Sequence, residues 1–481
     1  MTTAIKDKVL KGVSWQFIEK FGSYALNFIF SVILARLLSP KDFGLIGIIT
    51  AFFVIAQVFI DSGFGNAYIQ KKEVDKADKD TVFLVNIIIS IIIYSILFFS
   101  APLIADFYDI IILIDLIRVM GLILIINSFN IIHISQLTRD LDFKKKSKFT
   151  LLSVSISGIL GVSMAYLSYG VWSLVFFQMS NRFILSLCLW ISSRWKPAFV
   201  ISKESFLSLF SFGGWLLLAS LLRRIFDNIY TLTIGKFFSA AELGFFNESR
   251  RYKEYFSNNI LDNLMKVFFP VLSKYQNDKE MLRNMMSKLV VNISFFMFPM
   301  LILLIIFAKP FVIIILTDKW APMIEYLQLF CVVGLLAPVT KVSRYIILSL
   351  GKSKLLLKLG LLVNSLSIIN IIISYRFGIY YIIIGIIIYA LIAQLLYLFI
   401  INKLISYSLI KLFYDIKQIM ISSSIIFIIG IFIQNILYDS MILTILYLAL
   451  LLVVYIMYFY VFDKNQLINF RDMIVQSVKN I

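Results

Sequence analysis

Two blocks set 200 residues apart organise this chain: Arg36-Leu37-Leu38-Ser39-Pro40-Lys41-Asp42-Phe43-Gly44 and Lys236-Phe237-Phe238-Ser239-Ala240-Ala241-Glu242-Leu243-Gly244. Each reads as the end of one apolar helix followed by a Ser-x-x-acid signature that opens the next. In such a box the serine hydroxyl satisfies a free N–H of the new helix and the acid reaches back to the serine N–H. The same shift lays Trp15 on Trp215, Ser39 on Ser239, Asp42 on Glu242 and Gly44 on Gly244. Four matches in so biased a composition prove little alone, but helix register adds to them. Gln16, Lys20, Ser23, Asn27 and Ser31 follow helical spacing on one face, and Ser220, Arg223, Asp227 and Thr231 take the same register 200 residues on.

Outward from these blocks the chain is almost continuously apolar. Of 481 residues 60% are hydrophobic and only 15% charged, with mean hydropathy +0.93, whereas a soluble domain is about 25% charged. At about 20 residues per crossing this composition supplies about fourteen membrane helices, and what remains is too short and broken for a soluble domain. The fold class expected is an all-α polytopic membrane protein. The net charge of +18 does not point to nucleic acid, because a nucleic-acid binder gathers its cations on one solvated face. Cys188 and Cys331 each lie inside an apolar run, which argues against a disulfide framework or a metal site. Glu19, Lys20 and Asn27 within the first apolar stretch, with no small-residue cleavage site after it, mark a retained helix rather than a signal peptide.

Hydropathy places spans at about 13–36, 41–61, 80–104, 111–134, 147–168, 170–191, 204–235, 241–269, 286–316, 321–349, 354–375, 379–401, 416–436 and 440–461. The spans at 111–134 and 204–269 are the least apolar. With the N-terminus inside, the inner segments carry 28 Lys and Arg, among them Lys71, Lys72, Lys76, Lys79, Arg139, Lys144, Lys145, Lys146 and Lys148. The outer loops carry 5: Arg36, Lys41, Lys236, Lys319 and Arg376. Positive loops stay cytoplasmic, so both termini are expected there and most of the +18 is an orientation signal. Six spans separate the two blocks, so both copies enter the membrane in the same direction. Parallel repeats of this kind are typical of transporters that rock about a central cavity. The expected division is an N-lobe over 1–200 (helices 1–6), a C-lobe over 201–405 (helices 7–12), and 406–481 holding two additional helices and a cytoplasmic C-terminal tail.

An ionisable side chain at bilayer depth costs at least about 2.5–3.5 kcal/mol and marks a functional site by default. The densest set lies on helices seven and eight: Arg223, Arg224, Asp227, Arg250, Arg251 and Lys253, with Glu248 and Glu254 nearby. An excess of arginine in a water-filled cavity suits a divalent or larger anion, because guanidinium stays charged and offers paired donors. The plainer reading of the same residues is a salt-bridge network joining the two helices. Arg118 and Arg182 extend the anion set, and Lys20, Ser23, Asn27 and Thr231 form the polar stripe that would meet sugars. Asp61, Asp115 and Asp227 are candidates for ion coupling, although Asp115 and Arg118, three apart, could simply pair. Arg344, Lys266 and Lys341 sit near helix ends and can snorkel, and His133, also near an end, reads as structural. Ser153, Ser157, Gly161 and Ala165 make a small-residue stripe for close helix packing, while Trp172, Trp195 and Trp320 suit the interfacial belt.

No HExxH, P-loop, GxSxG or paired carboxylates in an outer loop are present, so neither an enzyme nor a cofactor nor a bound metal is expected. No nucleotide-binding domain is present either, which leaves a gradient, the membrane potential or consumption of product as the energy source.

Several stretches resemble one family. They are Lys11-Gly12-Val13-Ser14-Trp15, Leu34-Ala35-Arg36-Leu37-Leu38-Ser39-Pro40-Lys41-Asp42-Phe43-Gly44 and Asp61-Ser62-Gly63-Phe64-Gly65-Asn66-Ala67-Tyr68-Ile69-Gln70, followed by Phe269-Pro270-Val271-Leu272-Ser273, Asp318-Lys319-Trp320 and Gly351-Lys352-Ser353-Lys354. They are similar to the Wzx-type O-antigen and polysaccharide flippases of the MOP (multidrug/oligosaccharidyl-lipid/polysaccharide) superfamily. The resemblance covers most of the chain and is densest in the first 150 residues. It implies two six-helix lobes plus two extra helices, and export of an undecaprenyl-diphosphate-linked oligosaccharide across the bacterial inner membrane. It carries no residue-level motif, so the site residues rest on charge and register. The expected partners are the lipid-linked oligosaccharide, membrane lipids, a polysaccharide polymerase and a chain-length regulator, and no nucleic acid. The rival readings are a multidrug antiporter for organic cations on the same fold, whose cavity should be acidic, and a non-transporting scaffold or scramblase.

Overall fold

The computed structural model describes residues 3–61, 64–71, 74–193, 195–198, 200–434 and 441–468. Among these the chain is helical, with no strand. The first half runs α1 (Thr3–Leu37), α2 (Pro40–Asp61), α3 (Phe64–Gln70), α4 (Lys76–Tyr108), α5 (Leu113–Arg139), α6 (Phe143–Tyr166), α7 (Val171–Ser192) and α8 (Lys203–Phe237). It continues with α9 (Ala240–Phe256), α10 (Asn258–Lys274), α11 (Lys279–Ile306), α12 (Ala308–Pro310), α13 (Met323–Leu335), α14 (Ala337–Ser349), α15 (Ser353–Ser374), α16 (Ile379–Ile405), α17 (Leu409–Gln434) and α18 (Met441–Phe462). By length and composition ten of these can cross a membrane, and α13 with α14, bent by 40°, makes an eleventh. The protein is therefore a multi-span membrane protein. The expected fourteen crossings are not reached by this measure, because α8 and the α9–α10 pair carry the charges noted above and the described apolar part of α18 is only Leu446–Phe462. The side chains of Trp215, Asp262 and Lys266, and the C-terminal tail past residue 468, lie outside the described residues.

Two compact units divide the chain, one up to Gly244 and one from Phe245 onward. In the first, α1 packs on α6, α6 on α7, α4 on α5, and α2 on α8. Glu19 ties α1 to α6, accepting from the hydroxyls of Ser147 (3.2 Å) and Thr150 (3.3 Å) with Lys146 at 3.8 Å. The small-residue stripe of α6 is buried as expected, and a Cβ on Gly161 would come 2.8 Å from Phe177 Cβ of α7. The outward face of α4, with Ile92, Ile96, Phe99 and Leu103, is apolar and exposed, as a lipid-facing surface must be.

Both predicted capping boxes form. The Ser39 N–H and hydroxyl donate to Asp42 Oδ2 at 2.9 and 2.7 Å, and those of Ser239 donate to Glu242 Oε2 at 3.0 and 2.8 Å. The helix starts that they open touch through their glycines. A Cβ on Gly44 would fall 1.7 Å from Ala240 O, and one on Gly244 would fall 2.1 Å from Pro40 O. The contact is reciprocal, each repeat's glycine receiving the other's first-turn carbonyl.

The second unit is built on α11, α17 and α18, whose Phe295, Ile302, Ile306, Ile419, Ile426, Leu451 and Phe459 share one core. Tyr455 donates to Phe295 O (2.9 Å) and Gln466 to Asn292 Oδ1 (2.9 Å), which fastens the last helices to α11.

Four expectations need correction. The continuous helix over 286–316 stops at Ile306, and a π-helical turn, Phe311–Leu316, follows α12; Pro310 lacks an N–H and crowds the carbonyl four residues back. The helix over 241–269 breaks at Ser257, whose backbone leaves helical geometry (φ −131°) and whose hydroxyl donates to Lys253 O (3.0 Å). The segment after Asp61, read as a loop, contains α3, whose C-terminal carbonyls at Tyr68 and Lys71 accept from Arg139. Trp320 is fully buried against Phe245 instead of lying in an interfacial belt.

Gly44→Ala should lower the thermal stability of the detergent-purified protein by at least the ~3 kcal/mol of severe overpacking, since backbone is what the new methyl meets. Gly360→Ala on α15, whose Cβ would meet nothing within 4 Å, should leave stability unchanged or raise it by ~0.5–1 kcal/mol. Melting followed by size-exclusion fluorescence measures both.

Candidate functional site

Polar positions one helical turn apart on α2, α5 and α7 enclose a cavity of about 350 Å³ inside the first unit. Thr50 and Gln57 come from α2, Asn127 from α5, Gln178, Asn181 and Arg182 from α7, and Asn27 from α1. Phe53, Val54, Ile123, Leu124, Val154 and Phe177 form the apolar part of the wall. A helix offers one face at i, i+3, i+4 and i+7, which is how Thr50, Phe53, Val54 and Gln57, and Phe177, Gln178, Asn181 and Arg182, reach one space.

The amides are held in order. Asn127 Nδ2 donates to Gln57 Oε1 (3.1 Å), and Gln57 Nε2 donates to Asp61 Oδ1 (2.8 Å). Asn181 Nδ2 donates to Ser157 Oγ (3.3 Å) and Asn27 Nδ2 to Ser23 O (2.7 Å). Three asparagines thus spend one N–H each on the wall and keep a second N–H and an amide oxygen for a ligand. The chain of bonds ends on Asp61, which also feels the charges of Arg182 and Arg224. Two guanidiniums to one carboxylate leave this edge of the cavity positive. Hydrogen-bonding amides, aromatic walls and excess guanidinium together form a surface for a polyhydroxylated, anionic molecule.

Of the residues singled out from sequence, Asn27 and Arg182 line this cavity and Asp61 is bonded to its Gln57, while exposed Arg224 acts there only through its charge on Asp61. Lys20 and Ser23 are half-buried on α1, and Ser23 contributes its carbonyl to Asn27. Arg223 and Asp227 sit together (3.7 Å) on an exposed part of α8, and Thr231 is buried in packing. Arg118 does not pair with Asp115: its guanidinium lies 4.5 Å from the Phe98 ring centroid, and Asp115 is exposed. Arg250 and Arg251 belong to the second unit and pair along their own helix, with Glu254 (3.2 Å) and Glu248 (2.9 Å). His133 is packed against Trp190, with ring centroids 4.6 Å apart, in keeping with a structural role. Gln57, Asn127, Gln178 and Asn181 escaped a search for ionisable groups. The spacing of Gln57 to Asp61, and of Gln178 and Asn181 to Arg182, was the available signal.

The model of the family described as "Polysaccharide biosynthesis protein" matches residues 33–325, more than half of the chain. The chain belongs to the polysaccharide biosynthesis protein family. Relatives in this family include a membrane protein of the cps region of Klebsiella pneumoniae, 28% identical over 358 residues, 73% of each chain. The teichuronic acid biosynthesis protein TuaB of Bacillus subtilis is 25% identical over 357 residues, again 73% of each. The lipopolysaccharide biosynthesis protein WzxC of Escherichia coli is 25% identical over 342 residues, 70% of this chain and 69% of its own. In fold, this member resembles the lipid II flippase MurJ in an inward closed conformation (TM-score 0.74, 17% identity, 95% of this chain and 100% of that one). An inward-facing multidrug MATE transporter of the MOP superfamily is less similar (TM-score 0.61, 15% identity, 79% and 95%). The expected family and fold class therefore hold.

With Cys188 and Cys331 replaced by serine, a cysteine at Gln178 should react with water-soluble thiosulfonates, and one at buried Thr231 should not. The anionic reagent should outpace the cationic one by about 10-fold because of the positive edge. Equal rates, or a faster cation, would contradict the polarity assigned to the cavity.

Proposed function

We propose that this protein flips undecaprenyl-diphosphate-linked oligosaccharide repeat units across a bacterial cytoplasmic membrane, by alternating access, for surface polysaccharide synthesis. The observation that carries the proposal is the amide-lined cavity with Arg182 at its wall and Gln57 tying it to Asp61. Arginines would hold the diphosphate, and the amides with Lys20, Ser23 and Asn27 of the polar stripe would serve the sugars. Arg223, Arg250 and Arg251 remain proposed members of the anion path. A hydrocarbon tail needs a wholly apolar surface, and the second unit has one. A groove of about 300 Å³ between α11, the π-helical turn and α18 is lined only by apolar residues such as Met300, Phe307, Ile314 and Leu448.

The relatives' names point the same way, to polysaccharide biosynthesis. The reading is transport rather than catalysis. Moving one charge across 100 mV is worth about 2.3 kcal/mol, so a headgroup of charge about −2 leaving a negative interior gains about 4–5 kcal/mol. Both termini are proposed to be cytoplasmic, and a polymerase and chain-length regulator to receive the product. A cation antiporter on the same fold needs carboxylates left free for its substrate, whereas Asp61 accepts from Gln57 and lies in the field of Arg182 and Arg224.

Deleting the gene should accumulate a diphosphate-linked oligosaccharide in the extracted lipid pool and abolish surface polymer. Complementation with the Arg182→Ala/Arg224→Ala double variant should restore less than a tenth of the polymer at wild-type protein levels, about the 1.4 kcal/mol that a tenfold loss represents. An unchanged lipid pool with raised sensitivity to cationic drugs would transfer the protein to the antiporter reading.

A further inference from the structure

The second unit buries charge that the proposed substrate path leaves unexplained. On α9, Glu248 is 4% and Lys253 5% exposed. Glu248 Oε1 accepts from Arg251 (2.9 Å), while Oε2 is buried without a partner. The Lys253 ammonium makes no hydrogen bond or ion pair among the described residues, and its stem lies against α13, where a Cβ on Gly334 would come 3.4 Å from Lys253 Cδ. The charged and titratable groups around its ammonium are Glu254 and Arg250 on its own helix, Cys331 on α13 and Lys341 on α14.

Three helix interruptions converge here. The α13–α14 rod bends by 40° just beyond Gly334. Tyr252, fully buried, stacks edge-on with Phe311 at the start of the π-helical turn (centroids 5.6 Å). Ser257, which breaks α9 from α10, donates to the carbonyl of Lys253 itself. Interrupted helices and π-turns inside a membrane protein collect at ion sites, because the strained backbone persists only where it has a use.

We infer that Lys253 is a proton-coupling site, gaining a proton as an anionic diphosphate docks on the arginines of α9 and losing it as the anion leaves. The inference rests on the diphosphate reading above. Around α9 the cations Arg250, Arg251 and Lys341 already outnumber the acids Glu248 and Glu254, so a further ammonium held away from water has no counter-charge of its own. A docked anion supplies that counter-charge. On arrival the neutral amine takes H⁺ from water to become the ammonium, and on departure the ammonium returns H⁺ to water, on whichever side is then open. Linkage is reciprocal: if the anion favours the proton, the proton favours the anion by the same factor.

Calorimetry of the full-length protein with geranylgeranyl diphosphate, in two buffers of different ionisation enthalpy at pH 8, counts the protons exchanged on binding. That pH lies well above the second ionisation of a phosphate (~6), so the probe contributes few protons of its own. Wild type should take up a substantial fraction of one proton per probe bound, with affinity falling from pH 7 to pH 9. Lys253→Met should bind the probe with no proton uptake and a flat affinity profile, and Lys253→Arg, which keeps the cation, should do the same if the methionine variant fails to fold. Equal uptake in wild type and variants, or wild-type binding without uptake, would overturn the coupling site and leave the flippase reading intact. No binding of the probe by wild type would instead overturn the diphosphate reading on which it rests.

Discussion

The architecture depends on a close approach of two helix starts. α2 and α9 begin with the same capping box, and their first turns meet at Gly44 and Gly244, where each glycine leaves room for the other's carbonyl. No side chain larger than hydrogen fits, because what lies opposite is backbone rather than a movable rotamer. The caps are part of the same constraint. The N–H groups of each helix start are met locally, by Ser39 with Asp42 and by Ser239 with Glu242. Repeat, cap and glycine together form one structural device, used twice.

Charge is the second economy. The chain holds Glu19 against Ser147, Thr150 and Lys146, and buried Asp78 against Lys71 (2.7 Å), so these ions are settled by structural partners. Asp61 is different. It lies at the end of an amide chain with two arginines for company, and the cavity beside it has room for a ligand. The same distinction separates Glu248, half satisfied by Arg251, from the Lys253 ammonium, which has neighbouring charges but no ion pair among the described residues. Partners already spent mark scaffold, and charges left over mark sites.

Much of this was legible in the sequence. The all-helical, multi-span class and the places of most helices were legible, because apolar runs interrupted by short charged loops leave little choice in a membrane, although ten or eleven spans meet the length and composition test where fourteen were expected. The breaks were missed because hydropathy sees one apolar run, whereas they turn on single residues: Pro310 before the π-turn and Ser257, whose hydroxyl bonds the Lys253 carbonyl. The site was legible in part. Arg182, Asp61 and Asn27 stood out as polar groups in apolar surroundings, and the structure puts Asn27 and Arg182 on one cavity with Asp61 bonded to its Gln57. Gln57, Asn127, Gln178 and Asn181 did not, since uncharged amides cost little enough in a helix to look ordinary until their helices converge. Arg118 shows the converse: it stood out by charge, but a phenyl ring and a backbone carbonyl account for it.

The central claim is that an anionic, saccharide-bearing lipid crosses the membrane through this protein. Purified full-length protein in vesicles loaded with a labelled polyprenyl-diphosphate oligosaccharide in the inner leaflet tests it directly, with a membrane-impermeant glycosidase outside. The account predicts that the digestible fraction rises with time only in protein-containing vesicles, and rises faster when the outside is made positive. A digestible fraction that stays at the protein-free level under either potential would contradict it.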